Sequence, residues 1–142
     1  MTEQLLLLKN HLHKLYTKNP FVHLLEMEII ELEPGMAKLS MPVTNNKHTN
    51  LYNMAHGGAL ASLADTAMGM ACATTGKKVV TLDMNLNYIR SAECQEAIIA
   101  VGTLIHTGNQ TMVAEADILD GAHNLLVKAR ATFFVTGTFL SE

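Results

Sequence analysis

The sequence predicts an α+β fold in which a curved antiparallel sheet wraps around one apolar helix. Residues 57–76 form a nearly uncharged helical segment, which must be covered by other elements on most of its sides. Strand patterns precede and follow this segment, and short turns connect consecutive strands, as in antiparallel sheets. The chain has 142 residues, which predicts a single domain over residues 1–142.

The elements before the apolar helix begin with an amphipathic helix. Leucines over residues 5–15 recur at helical spacing, and Asn19-Pro20 ends the pattern. Apolar and acidic residues then alternate over residues 26–33, with one slip of phase at Ile29-Ile30 that predicts a β-bulge. Pro34-Gly35 predicts the turn of a hairpin, and a polar loop over residues 43–56 leads to the apolar helix.

Four strands are predicted after the apolar helix, arranged as a meander. The first strand alternates strictly, so that its apolar side chains from Val80 to Tyr88 share one face of the sheet. Thr81, Asp83, Asn85 and Asn87 are predicted to share the other face. Two long strand patterns follow, over about 95–107 and 110–119, and the last strand covers 124–136.

Composition and charge exclude several classes of protein. Apolar residues make up 49% of the chain and charged residues 16%, which is typical of a globular protein with a large core. The formal net charge of -3 disfavours nucleic-acid binding. The longest weakly polar stretch, residues 59–74, is shorter than the roughly 20 residues of a membrane span. We expect a cytoplasmic protein with no membrane or nucleic-acid partner, no metal site and no cofactor.

Asp65 is the only charged residue in the apolar helical segment. Burying a carboxylate without a partner is costly, so a carboxylate in such a segment has either a structural partner or a chemical task. The structural interpretation is that nearby hydroxyls, such as those of Ser62 or Thr66, donate hydrogen bonds to it. The functional interpretation is that it serves as a catalytic acid–base group or nucleophile.

The start of the same helix favours the functional interpretation. Gly57 and Gly58 leave the first backbone N–H groups unobstructed, and these donors suit an anion or a polarised carbonyl. Gly57 and Asp65 are eight residues apart, which corresponds to about 12 Å along a helix. One reacting group cannot contact both within a single chain. If they act together, two antiparallel helices must meet across a two-fold axis, which predicts a homodimer.

The segment from His48 to Ala92, HTNLYNMAHGGALASLADTAMGMACATTGKKVVTLDMNLNYIRSA, resembles the core of the PaaI-type hotdog thioesterases. Their pattern is an asparagine, a short loop, His-Gly-Gly, an acidic residue eight positions after the first glycine, and an asparagine-rich strand. The family's Arg-Pro-Ala is Arg90-Ser91-Ala92 here. The resemblance implies a hotdog fold and the hydrolysis of acyl-CoA or aryl-CoA thioesters to the free acid and CoA.

The resemblance also implies roles for individual residues. Asp65 matches the general base or nucleophile, and Gly57 matches the backbone donor that polarises the thioester carbonyl. His56 matches a residue that orients the substrate, and Asn50 matches an asparagine that holds the attacking water or the thioester. Thr81 lies where relatives carry a hydroxyl near the carboxylate. The residues assigned to substrate or CoA binding are Gly58, Asn53, Asn85, Asn87 and Arg90, with Asn53 also competing for the asparagine role.

Two alternatives remain open from the sequence. A hotdog hydroxyacyl dehydratase would pair His56 with Asp65 across the interface, and a non-catalytic acyl-CoA sensor would bind the thioester without turnover. The Gly-Gly context and the loop asparagine favour hydrolysis over hydration. We expect the homodimers to associate further, as a dimer of dimers, into a homotetramer.

Overall fold

The structure is a computed structural model that describes residues 2–94 and 96–139. The described chain forms three helices and six strands in a mixed order. The helices are α1 (Glu3–Lys18), α2 (Pro20–Leu24) and α3 (Gly57–Ala73). The strands are β1 (Glu28–Glu33), β2 (Met36–Pro42), β3 (Lys77–Tyr88), β4 (Ala97–Thr107), β5 (Thr111–Leu119) and β6 (Leu125–Thr138).

The N-terminal helices are separated at Asn19, as the sequence predicts for the end of α1. The Thr2 hydroxyl caps α1 by accepting a hydrogen bond from the backbone N–H of Leu5. The sequence patterns did not predict helix α2. The Asn19 side chain caps it by accepting hydrogen bonds from the backbone N–H groups of Phe21 and Val22. Pro20 follows at the first helical position, where its missing N–H costs nothing. The Asn-Pro pair therefore ends one helix and starts the next.

All six strands form one antiparallel, curved sheet in the order β1-β2-β4-β5-β6-β3. The β1–β2 register shifts between Ile29 and Glu31, which confirms the predicted bulge. Gln95, where the sequence pattern of the fourth strand begins, lies outside the described residues. No described helix has both the length and the hydropathy needed to cross a membrane.

The prediction that β3 to β6 form a meander is wrong for β3. Strands β4, β5 and β6 are consecutive neighbours, but β3 pairs with β6 and forms an edge of the sheet. The connection from β3 to β4 crosses over and pairs with the loop that precedes α3, where the Ala55 N–H donates to the Ala92 carbonyl at 2.8 Å. The Ile89 and Arg90 N–H groups donate to the Leu126 carbonyl, so the connection is held both by this loop and by β6.

Helix α3 packs against the sheet through its small side chains. Ala64, Ala67 and Ala71 are fully buried, and the backbone of α3 approaches β4 closely at Gly102. A Cβ atom at position 102 would overlap the backbone of Ala67 and Met68, so only glycine fits there without displacement. This contact fixes the height of α3 above the sheet and hence the position of Asp65.

Candidate active site

Asp65 accepts a hydrogen bond from the Thr81 hydroxyl, with an Oγ1–Oδ1 distance of 2.7 Å. The Ser62 and Thr66 hydroxyls, suggested from the sequence as partners of Asp65, do not donate to it. The Ser62 hydroxyl donates to the Gly58 carbonyl and the Thr66 hydroxyl to the Ser62 carbonyl. The apolar neighbours of Asp65 on the helix predict a fully buried carboxylate, but the structure shows Asp65 partly exposed. It is therefore an oriented carboxylate that remains open to a ligand.

A β-bulge in β3 brings Thr81 to Asp65. The register against β6 shifts between Thr81 and Asp83, so Thr81 lies opposite the buried Phe133 on the face that carries α3. Strict alternation would have placed Thr81 on the same face as Asp83. The predicted faces of β3 are therefore wrong for Val80 and Thr81, because the extra residue Leu82 reverses the alternation.

Asp65 and Thr81 line a cavity of about 450 Å³, here called the Asp65 cavity. It lies between the α1–α2 junction, α3 and the first half of β3. Its aromatic lining consists of Tyr16, Phe21, Phe133 and Phe139. These are four of the seven aromatic residues in the chain, which has three tyrosines, four phenylalanines and no tryptophan. Such a lining suits the apolar part of a ligand.

The start of α3 offers one free backbone donor. The His56 ring caps the helix, because its Nδ1 accepts a hydrogen bond from the Gly58 N–H at 2.8 Å. The Gly57 N–H has no hydrogen-bond partner among the described residues, whereas its carbonyl accepts a hydrogen bond from the Tyr88 hydroxyl at 2.8 Å. Gly58 therefore cannot offer its N–H to a ligand while His56 holds it, and Gly57 is the available donor.

Asn50 and Arg90 lie near this free donor. Together with Gly57 and Tyr88 they line a second cavity of about 410 Å³, here called the Gly57 cavity. The Asn50 side-chain oxygen accepts hydrogen bonds from the backbone of Tyr52 and Met54, so its amide group remains to bind a ligand. Arg90 is exposed at the edge of the cavity, where a guanidinium can meet phosphate groups.

Three predicted binding residues lie away from both cavities. Asn53 is an exposed turn residue with φ of 64° and donates its backbone N–H to the Asn50 carbonyl. This geometry favours Asn50 over Asn53 for the asparagine role. Asn85 and Asn87 follow the bulge in β3 and pair with the exposed Arg130 and Lys128 on β6. Their side chains therefore point to the outer face of the sheet, opposite α3.

His48 is a residue that sequence reasoning did not single out. It is fully buried, and its Nδ1 accepts the backbone N–H of Thr44 while its Nε2 lies 2.7 Å from the Leu25 carbonyl. The His56 N–H also donates to the His48 carbonyl. His48 thus fixes the loop before α3 to the end of α2. A histidine in a polar loop carries no periodicity signal that could have revealed this role.

The two halves of the predicted site occupy different cavities of the chain. Gly57 lines one cavity and Asp65 the other, as expected from their eight-residue separation on one helix. Among the described residues, no cluster of three or more His, Cys, Asp or Glu side chains is arranged to hold a metal ion. A free backbone N–H at the start of α3 and an oriented carboxylate are therefore the chemical groups that the described residues present here.

Comparison with known proteins identifies the family. The model of the thioesterase superfamily matches residues 52–127. The acyl-coenzyme A thioesterase PaaI of Escherichia coli is 31% identical over 108 residues, which cover 76% of this chain and 76% of that protein. The solved structure of the PaaI protein of the same species has a TM-score of 0.88 at 26% identity and covers 94% of this chain and 96% of that chain.

A structure from Streptococcus mutans, solved with bound acetyl-CoA, has a TM-score of 0.76 at 28% identity. The match covers 80% of this chain and 90% of that one. These similarities agree with the architecture of a curved sheet packed on one long helix. The chain therefore belongs to the thioesterase superfamily and has the hotdog fold of its PaaI-type members.

Proposed function

We propose that this protein hydrolyses acyl-CoA thioesters to the free acid and CoA, without a metal or a cofactor, in the cytoplasm. One observation carries the proposal: a single helix presents a free backbone donor at Gly57 and an oriented carboxylate at Asp65. The first can polarise a thioester carbonyl, and the second can supply the attacking group. The relative named as an acyl-CoA thioesterase and the neighbour with bound acetyl-CoA support this substrate class.

The proposed site lies between two subunits of a homodimer. The edge strand β3 exposes large apolar side chains, with Val80 52% and Leu82 59% accessible in the single chain. An unpaired strand edge with apolar side chains is a surface for pairing with a second chain. A two-fold axis beside β3 and α3 would bring Gly57 of one subunit to Asp65 of the other. Association of two dimers into a tetramer is part of the same proposal.

In the proposed reaction, the Gly57 N–H stabilises the oxyanion that forms when the thioester carbonyl is attacked. Asp65 of the other subunit deprotonates the attacking water, or attacks directly to form an anhydride that water then hydrolyses. In both routes the carbon–sulfur bond breaks as the oxyanion collapses, and CoA leaves as a thiolate. The thiolate takes its proton from the Asp65 carboxylic acid in the first route and from water in the second. In either route the Thr81 hydroxyl occupies one carboxylate oxygen and orients the other one. Asn50 positions the water or the thioester, and Arg90 meets the CoA phosphates.

The geometry gives no support to the dehydratase alternative. A dehydratase needs His56 as a base, but the Nδ1 lone pair of His56 already accepts the Gly58 N–H. The neutral ring then carries its proton on Nε2, so the one ring nitrogen without a proton is already held by the Gly58 N–H. His56 instead orients the start of α3, and through it the Gly57 donor.

The Asp65→Asn substitution tests the proposal. The amide keeps the shape of the side chain but cannot act as base or nucleophile, so we expect thiol release from acyl-CoA to fall roughly 10²- to 10⁴-fold. The matched control is Asp83→Asn, which alters an exposed carboxylate on the outer face of β3, opposite α3, and should leave the rate unchanged. Wild-type rates in Asp65→Asn would refute the assignment, and binding of thioesters by the wild type without thiol release would identify a sensor.

A further inference from the structure

The peptide group between Gly57 and Gly58 is held at both of its polar atoms by side chains from outside α3. The Tyr88 hydroxyl donates a hydrogen bond to the Gly57 carbonyl oxygen at 2.8 Å. The Gly58 N–H, which belongs to the same peptide group, donates to Nδ1 of His56, also at 2.8 Å. A carbonyl oxygen has two lone pairs, so the bond from Tyr88 adds to any bond that the Gly57 carbonyl accepts within the helix.

Tyr88 is anchored in the sheet and not in the loop that precedes α3. It is the last residue of β3 and pairs with Val127, which is fully buried on the face that carries α3. The Ile89 N–H donates to the Leu126 carbonyl at 2.8 Å and holds the chain directly after Tyr88. Atoms of the Tyr88 ring lie 3.4 Å from the place that a Cβ atom on Gly57 would occupy. The strand therefore presents both a ring and a hydroxyl to the backbone of Gly57.

The start of α3 needs such a restraint because its first two residues are glycines. Glycine lacks the steric limits that a Cβ atom imposes, and the first N–H groups of a helix have no partner within it. The N–H and the carbonyl of Gly57 belong to one residue, so a hydrogen bond to the carbonyl also limits the directions that the N–H can take. A displacement of about 1 Å in a reacting geometry can slow catalysis by roughly 10²-fold.

We propose that Tyr88 is a positioning residue for hydrolysis: through the Gly57 carbonyl, it holds the Gly57 N–H in the direction that meets the thioester oxyanion. This inference rests on the proposed function, in which that N–H stabilises the oxyanion. Tyr88 acts through the backbone of Gly57, because the Gly57 carbonyl already accepts its hydroxyl proton. Removing the hydroxyl should therefore lower kcat, which depends on stabilisation of the transition state, and leave KM nearly unchanged.

The Tyr88→Phe substitution tests this inference, since it keeps the ring and its contact with Gly57 and removes only the hydroxyl. The assay is thiol release from butanoyl-CoA or benzoyl-CoA, whichever the wild type hydrolyses faster. We expect kcat to fall roughly three- to thirtyfold, less than for loss of the whole donor, with KM within about twofold of the wild type. An unchanged kcat would overturn the inference. A higher KM at unchanged kcat would also overturn it, because the hydroxyl would then serve to bind the ligand.

A second measurement separates positioning of the Gly57 N–H from a general contribution to the fold. The Gly57→Pro substitution removes this N–H, so adding Tyr88→Phe to it should lower kcat no further. In the Gly57→Ala background, which keeps the N–H, Tyr88→Phe should again lower kcat roughly three- to thirtyfold. The same loss in both backgrounds would overturn the inference, because a purely structural role of the hydroxyl does not depend on the presence of the N–H.

Thiol release by the wild type decides the proposed function separately. A wild type that hydrolyses thioesters at the same kcat as Tyr88→Phe contradicts only the role of Tyr88. A wild type that releases no thiol from any acyl-CoA thioester would overturn the proposed function and the role of Tyr88 with it.

Discussion

The oxyanion-binding role proposed for Gly57 belongs to its backbone N–H and not to a side chain. It is the first residue of α3, where the backbone N–H has no partner within the helix. The next donor along the helix, the Gly58 N–H, is used by the His56 ring. The helix end therefore presents one free donor, the Gly57 N–H. A substitution that removes this N–H should change the rate of hydrolysis without removing a second donor.

The Gly57→Pro substitution removes this donor with little change to the helix. Proline suits the first helical position, and His56 already has the extended conformation, with φ of -66° and ψ of 135°, that a residue before proline prefers. Loss of one oxyanion donor should reduce kcat by roughly 10²- to 10³-fold in a thiol-release assay.

The control for this prediction is Gly57→Ala, which keeps the N–H. Its Cβ would lie 3.4 Å from the nearest atoms of the Tyr88 ring, close to ordinary contact, so the fold should be retained. The alanine variant should therefore hydrolyse thioesters much faster than the proline variant. Equal rates in two folded variants would show that the Gly57 N–H does not stabilise the reaction.

The availability of each donor at this helix start was not fully predictable from the sequence. The His-Gly-Gly motif indicates a helix start with free donors, and the structure retains one of them at Gly57. The rotamer of His56 decides that Gly58 is not free, and no local sequence signal specifies that rotamer. Asn50 and Asn53 are similarly distinguished only by the turn that the loop adopts.

At the scale of elements, β3 shows what periodicity can and cannot predict. The alternating pattern identifies the strand correctly, but it cannot place the bulge at Leu82 that turns Thr81 toward Asp65. It also cannot reveal that β3 pairs with β6, because that pairing joins residues about fifty positions apart in the chain. By contrast, the bulge in β1 was predictable, since two adjacent isoleucines interrupt the alternation of apolar and acidic residues.

The contact between α3 and β4 depends on Gly102 and predicts a large effect on stability. A methyl group at this position would overlap the backbone of Ala67 and Met68, which cannot move without displacing the helix. We expect Gly102→Ala to lower the free energy of unfolding by roughly 1–3 kcal/mol, as for other overpacked cores. Urea unfolding, followed by circular dichroism at fixed protein concentration, measures this loss.

The matched control is Gly121→Ala, because a Cβ atom at that turn position meets nothing within 4 Å. It should leave the free energy of unfolding within about 0.5 kcal/mol of the wild type. If Gly102→Ala were as stable as Gly121→Ala, helix α3 would be free to move away from β4. The close contact would then not set the position of Asp65.

At the scale of the whole molecule, the two groups of the proposed site, the Gly57 N–H and the Asp65 carboxylate, lie in separate cavities of the chain. The Gly57 cavity and the Asp65 cavity are lined by different residues of the same helix, and the edge strand β3 runs past both of them. The separation of Gly57 from Asp65 follows from the rise of an α-helix, so the sequence alone predicts that a second subunit completes the site. What the sequence cannot predict is the surface through which two such chains would pair.

Heterodimers of two inactive chains test this shared site directly. In a dimer of Asp65→Asn with Gly57→Pro, one site contains both substitutions, and the other contains the unaltered Gly57 of the first chain and Asp65 of the second. We therefore expect such heterodimers, purified through two different affinity tags, to recover about half of the wild-type thiol release per dimer. Each homodimeric parent should remain nearly inactive.

The reciprocal heterodimer distinguishes a shared site from a site within one chain. When a chain carrying both substitutions pairs with a wild-type chain, every shared site contains one altered group, so both sites should be inactive. A site built within one chain would give the opposite pattern, with the wild-type subunit active and the first heterodimer inactive. Because the two heterodimers contain the same two substitutions and differ only in their distribution, differences in stability cannot account for the contrast between them.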